Sequence, residues 1–103
     1  MKEKKFMISE NSQDIVFMSK HFSQESFLDK TFSNCIFDQC AFIDTSFEQA
    51  SFWGCTFKNC TLSLVNLKNS RMENVLLEES KLVGLNFSQC DTKFLFSINI
   101  KQS

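Results

Sequence analysis

The sequence predicts an all-β protein, a right-handed quadrilateral parallel β-helix of about four coils. Three observations lead there. Phenylalanine is heavily over-used, with thirteen residues against one tryptophan and no tyrosine. An apolar residue recurs at every fifth position from Phe17 to Phe87 without a break. The positions around it repeat as well, small residues two before it and turn-forming residues two after it.

The apolar register runs through Phe17, Phe22, Phe27, Phe32, Phe37, Phe42, Phe47, Phe52 and Phe57, then Leu62, Leu67, Met72, Leu77, Leu82 and Phe87. A period of five suits neither common element. On an α-helix five residues advance about 500°, which scatters the side chains around the axis. On a flat strand an odd period sends successive side chains to opposite faces. One interior receives every fifth residue only if the chain turns a corner once per repeat. Four corners of about 90° close a coil of about twenty residues, and such coils stack about 4.8 Å apart through backbone hydrogen bonds.

The other phases agree. Two residues before each centre stand Cys35, Cys40, Thr45, Ala50, Cys55, Cys60, Val65, Ser70, Val75, Ser80 and Cys90, mostly small, as a second inward slot beside a corner requires. Two residues after it stand Asp29, Asn34, Asp44, Gly54, Asn59, Asn69, Asn74 and Gly84, residues that tolerate turn geometry. The segments Cys35-Ile36-Phe37-Asp38-Gln39, Cys55-Thr56-Phe57-Lys58-Asn59 and Leu85-Asn86-Phe87-Ser88-Gln89 carry the whole pattern. It resembles the pentapeptide-repeat family, whose consensus is roughly A-(D/N)-L-x-x, over residues 15 to 90. The resemblance implies the β-helix fold. It does not imply one function, since the family includes quinolone-resistance proteins that bind type II topoisomerases as DNA mimics as well as secreted effectors.

Both ends depart from the pattern. Residues 1–14 read as a polar N-terminal leader, 15–91 as the repeat helix and 92–103 as a non-repeat strand or tail. In the first coil Lys20, Glu25 and Lys30 occupy the small inward slot. Buried charges need partners, so this coil reads as a cap whose charges reach out of the open end. After Phe87 the fivefold register gives way to Phe94, Phe96, Ile98 and Ile100, a period-two strand with one apolar face. That tail is the expected interface of a homodimer joined at its C-terminal end. The chain also reads as the first half of a longer protein of this type.

Composition excludes several functions. A formal charge of −1 argues against direct nucleic-acid binding. No apolar run approaches a signal peptide or a membrane span, so the expected setting is the cytoplasm, where five cysteines stay as thiols. The spacing of Cys35 and Cys40 against Cys55 and Cys60 imitates a zinc site. The repeat accounts for it better, because cysteine behaves as a small hydrophobe and stacks as a ladder rather than converging on an ion. Neither a metal nor a cofactor is expected. The single histidine, His21, falls on an outward phase, and no nucleophile has a base to activate it. The expected protein is not an enzyme.

That leaves the surface. Stacking by twenty sets Asp38 beside Lys58, Lys58 beside Glu78, Glu48 beside Lys68 and Glu73 beside Lys93, pairs of opposite sign that neutralise the faces. Ile43, Leu64 and Val83 gather on one outward face and Trp53 stands on another, together forming the candidate partner surface. The expected function is a protein-binding module or scaffold acting through the faces of the helix. The resemblance supplies one alternative, a DNA-mimicking binder of type II topoisomerase such as DNA gyrase. For it, the segment from Glu25 to Phe57 offers five acids against one lysine. The other alternative is a truncated or assembly-subunit half of a longer repeat protein.

Overall fold

Every fifth residue from Asp14 to Gly84 has a left-handed backbone, with φ between 52° and 66°. These residues are the corners, and they fall on the phase two after each centre. Eight of them are the Asn, Asp or Gly residues named above; Asp14, Ser19, Gln24, Gln39, Gln49, Leu64 and Glu79 adopt the same conformation. Each corner rotates the chain, so three-residue strands alternate with turns and the inward side chains all meet on one axis.

The computed structural model describes residues 9–93 and 97–102. Four sides follow one another around the coil. Side A stacks β1 (Asn11–Gln13), β3 (Thr31–Ser33), β6 (Ser51–Trp53) and β9 (Arg71–Glu73). Side B stacks β2 (Val16–Met18), β4 (Ile36–Asp38), β7 (Thr56–Lys58), β10 (Val75–Glu78) and β12 (Ile98–Lys101). Side C stacks β5 (Ala41–Ile43), β8 (Thr61–Ser63) and β11 (Lys81–Val83), with His21 bridging to Ala41 beyond β5. Side D is made of single bridges, Ser26 to Ser46 and Ser46 to Asn66. All pairings are parallel, and Phe37 stands against Phe17 and Phe57, Phe52 against Phe32 and Met72, and Leu62 against Phe42 and Leu82. The expected columns are therefore the observed ones.

Side D differs for a local reason. Ser26, Ser46, Asn66 and Asn86 each accept a hydrogen bond from the backbone N–H two residues on. Phe27, Phe47, Leu67 and Phe87 then accept from the N–H three residues on. This tight turn curls the side and shortens its strands.

The interior is a column of rings. Along the axis Phe17, Phe37 and Phe57 lie parallel, at 4.8 Å between successive centroids and within 10° of coplanar orientation. Around a coil the rings meet edge to face, Phe17 to Phe22 at 81° and Phe22 to Phe27 at 83°. A right-angled corner turns one ring against the next, and stacking in register keeps each parallel to its column neighbour. Both arrangements suit the ring quadrupole. The small slot is filled as expected: Cys35, Cys40, Thr45, Ala50, Cys55, Cys60, Val65, Ser70, Val75, Ser80 and Cys90 are all buried.

Three details differ from the sequence reading. β1 lies inside the segment read as a polar leader: Ser12 fills the first inward position and stacks on Phe32. β12 lies inside the tail but rejoins side B, with Ile98 on Val75 and Ile100 on Leu77. The offset is 23 residues instead of twenty, so the last coil takes up three extra residues before the register resumes. The cross-coil charge pairs also fail to close. Register sets Lys58 between Asp38 and Glu78, yet these groups do not reach ion-pair distance, and Asp38 Oδ1 is buried without a hydrogen-bond partner. Long solvated side chains gain little from such contacts. Arg71 pairs instead with Asp91, at 3.9 Å.

Phe47→Ala is expected to destabilise the protein by about 3–5 kcal/mol, because a fully buried ring leaves a hole that rigid neighbouring coils cannot close. Denaturant titration checks this, and a midpoint equal to wild type contradicts the placement of Phe47.

Candidate functional site

Ile43 ends β5, Val83 ends β11, and Ser63 stands between them in the same outward column. Leu64 occupies the corner next to Ser63 with φ 55°. Its Cδ2 lies over Gly84, where an added Cβ would come within 2.8 Å. Gly84 thus gives Leu64 the space to lie across the next corner. Ile43, Leu64 and Val83 are 41%, 58% and 44% exposed and form one apolar edge on side C. Trp53 is not part of it. Trp53 sits half-buried on side A, the opposite side of the coil, between Ser33 and Glu73.

Leu64 departs from two preferences at once. A leucine in the left-handed region costs about 1–2 kcal/mol, and an exposed leucine gains little from burial.

A second apolar group stands on side B, and of its members Val16 and Met18 were not singled out from the sequence. Val16 and Met18 flank Phe17 on the first rung of side B, and Ile36 follows on the next rung, all three exposed. The signal was available in Val16-Phe17-Met18, where both outward neighbours of a centre are apolar. Of the tail residues, Ile98 packs against the core and Ile100 is exposed on the last rung. Phe94 and Phe96 lie outside the described residues.

The cysteines are five buried free thiols. Five inward donors bond a carbonyl of the coil before them: Cys40 to Phe17, Thr45 to Phe22, Cys55 to Phe32, Cys60 to Phe37 and Ser80 to Phe57. Among the described residues no three His, Cys, Asp or Glu side chains gather as metal ligands. Burial pushes the Cys55 thiol up to about 11 and raises Cys90. Cys40 and Cys60 act on each other: a hydrogen bond from Cys60 brings Cys40 down to about 7, and the same bond raises Cys60. His21 is exposed on the first coil.

Corner, centre and small slot recur together through the whole described coil, and a family model for the pentapeptide repeat region matches residues 30–95. The chain belongs to the pentapeptide-repeat family. This pentapeptide-repeat chain is also similar to a solved structure of trypsin-treated QnrB1, a plasmid-mediated fluoroquinolone resistance protein. The identity is 17%, the TM-score 0.40, and the match covers 87% of this chain and 53% of that one. The chain thus spans about half the length of that solved relative. No curated protein matches it. Among the described residues no helix is long and apolar enough to cross a membrane.

Leu64→Asn is expected to raise stability by about 1 kcal/mol, since asparagine accepts the left-handed corner that leucine resists. A melting temperature higher by about 4–8 °C is the corresponding shift for a domain of this size. A lower melting temperature shows instead that packing of Leu64 on Gly84 outweighs the corner strain.

Proposed function

We propose that this pentapeptide-repeat chain is a non-enzymatic protein-binding module of the cytoplasm, contacting its partner through the side C edge of Ile43, Leu64 and Val83. One observation carries the reading. Leu64 is an exposed leucine held in a left-handed corner where the same fold places Asp44 and Gly84 on the neighbouring coils. A residue unfavourable to the fold and apolar towards water is explained by what it touches outside the chain. Trp53 offers a separate aromatic contact on the opposite side, of the kind that anchors interfaces.

The partner sought is a protein with an apolar contact surface. DNA mimicry is the weaker alternative, because the outward column Asp38, Lys58, Glu78 and Lys101 alternates in sign along side B instead of forming an acidic stripe. A pull-down from native lysate with wild type and with Ile43→Lys/Val83→Lys tests the edge. The expected result is a protein retained by wild type and lost by the folded double variant. Identical captures by both reject this edge as the contact. A gyrase supercoiling assay with the chain added is expected to show no inhibition; inhibition would restore the topoisomerase reading.

A homodimer through the C-terminal end belongs to the same proposal. Among the described residues β12 has no strand beyond it, Ile100 is exposed, and Leu82, Leu85 and Phe87 are only partly covered. Phe94, Phe96 and Ile98 complete the proposed interface. Size exclusion with light scattering is expected to give about twice the chain mass, shifting to the single mass in Ile100→Lys. A wild-type monomer at high concentration contradicts the dimer and leaves β12 as a cap on its own coil.

A further inference from the structure

We propose that Cys40 and Cys60 form a thiol pair that a peroxide converts into an intramolecular disulfide, joining one coil to the next. The two residues are column neighbours: the N–H of Thr61 donates to the carbonyl of Cys40, fixing the two corners one rung apart. A rung of about 4.8 Å lies within the Cα separation of about 4.4–6.8 Å that a disulfide spans. Both sulfurs also reach the same short stretch of backbone, Cys60 Sγ donating to the Phe37 carbonyl at 3.0 Å and Cys40 Sγ to the Asp38 carbonyl at 3.6 Å. No side chain intervenes between them, because the inward slot admits only one small residue per coil.

Cys35 and Cys55 stack in the same way, which makes them an internal control. All four sulfurs bond backbone carbonyls, and the closeness of Cys60 also brings the Cys40 thiol down. The surroundings differ too. The residue stacked on Cys40 towards the first coil is Lys20, with His21 beside it, both exposed. The residue stacked on Cys35 is Ile15, which is apolar. The Cys40 pair therefore lies one coil below a polar residue, and the Cys35 pair one coil below an apolar one.

The chemistry balances without any group beyond the peroxide. The Cys40 sulfur attacks one peroxide oxygen, the O–O bond breaks, and the Cys40 thiol proton leaves with the second oxygen as water. The product is a sulfenic acid on Cys40. The Cys60 sulfur then attacks the Cys40 sulfur, the S–O bond breaks, and a second water leaves with the Cys60 proton. Two thiols have lost two electrons and one peroxide has gained them. A staple between adjacent coils restrains the unfolded chain, so the oxidised form is the more stable one.

The test is hydrogen peroxide on the folded wild-type chain, then alkylation, intact mass and a non-reducing peptide map. The expected result is a loss of about 2 Da, a Cys40–Cys60 cross-link, reversal by dithiothreitol and a melting temperature several degrees higher. Cys60→Ser is expected to abolish the cross-link and leave a sulfenic acid on Cys40 that dimedone traps. Serine suits this slot, since Ser80 occupies it on the next coil. Cys35→Ser is expected to leave the cross-link intact. A cross-link at Cys35–Cys55 instead, or no change in the folded chain while the unfolded chain oxidises, overturns the proposal.

Discussion

The left-handed corner is the constraint on which everything else rests. It recurs at every fifth residue from Asp14 to Gly84, and without it a phenylalanine at every fifth position could not reach one interior. Most of these corners are not glycine, so each opposes an intrinsic backbone preference. The compensation is local and repeated. The corner N–H donates to the following coil, as Asn34 does to Trp53 and Asn59 to Glu78, so the ladder of backbone bonds passes through the turns as well as the strands. A corner is held by its neighbours above and below more than by its own residue type, which is how Glu79 comes to occupy a position suited to asparagine.

The interior follows from the same geometry. Rings on successive sides meet edge to face because the chain has turned a right angle between them, and rings in one column stay parallel because the coil repeats. Phe27 to Phe32 departs to 37° and Phe47 to Phe52 to 48°. Both pairs span the corner that leaves side D, where the tight turn alters the angle between sides. The local chemistry of Ser26 and Ser46 thus reaches the packing of the core across the next corner.

The column register was legible in the sequence because it depends on one strong signal, a large apolar residue at fixed spacing. What was missed depended on weaker ones. Ser12 is an inward position, but a serine does not read as core, and the reading began at Phe17. The return of β12 to side B was hidden by three extra residues, which break the count without breaking the fold. The distinct character of side D was written at Ser26, Ser46, Asn66 and Asn86, a twenty-residue repeat of side-chain acceptors overlooked beneath the five-residue one. The candidate surface was legible as a face, since Ile43, Leu64 and Val83 do share an edge. Its most informative property, the strained corner of Leu64, is a backbone conformation that composition alone does not report.

The small inward slot shows why a metal-like spacing need not mean a metal. The slot stands beside a corner, where the carbonyl of a centre residue on the preceding coil points inward. Alanine, as at Ala50, fills the volume but leaves that carbonyl to its backbone partners. Thr45 reaches the Phe22 carbonyl at 2.7 Å, and Ser80, Cys35, Cys40, Cys55 and Cys60 make the equivalent contact. Buried carbonyls have a second lone pair that gains from such a donor. Cysteine supplies a weak donor with an apolar body, so it satisfies the carbonyl without the desolvation cost a hydroxyl carries elsewhere in a phenylalanine core. The same demand recurs at each corner, which spaces the cysteines by five and stacks them by twenty. Ligand-like spacing is thus a by-product of the repeat, and what distinguishes one cysteine pair from another is the company at the end of its column: Lys20 above Cys40, Ile15 above Cys35.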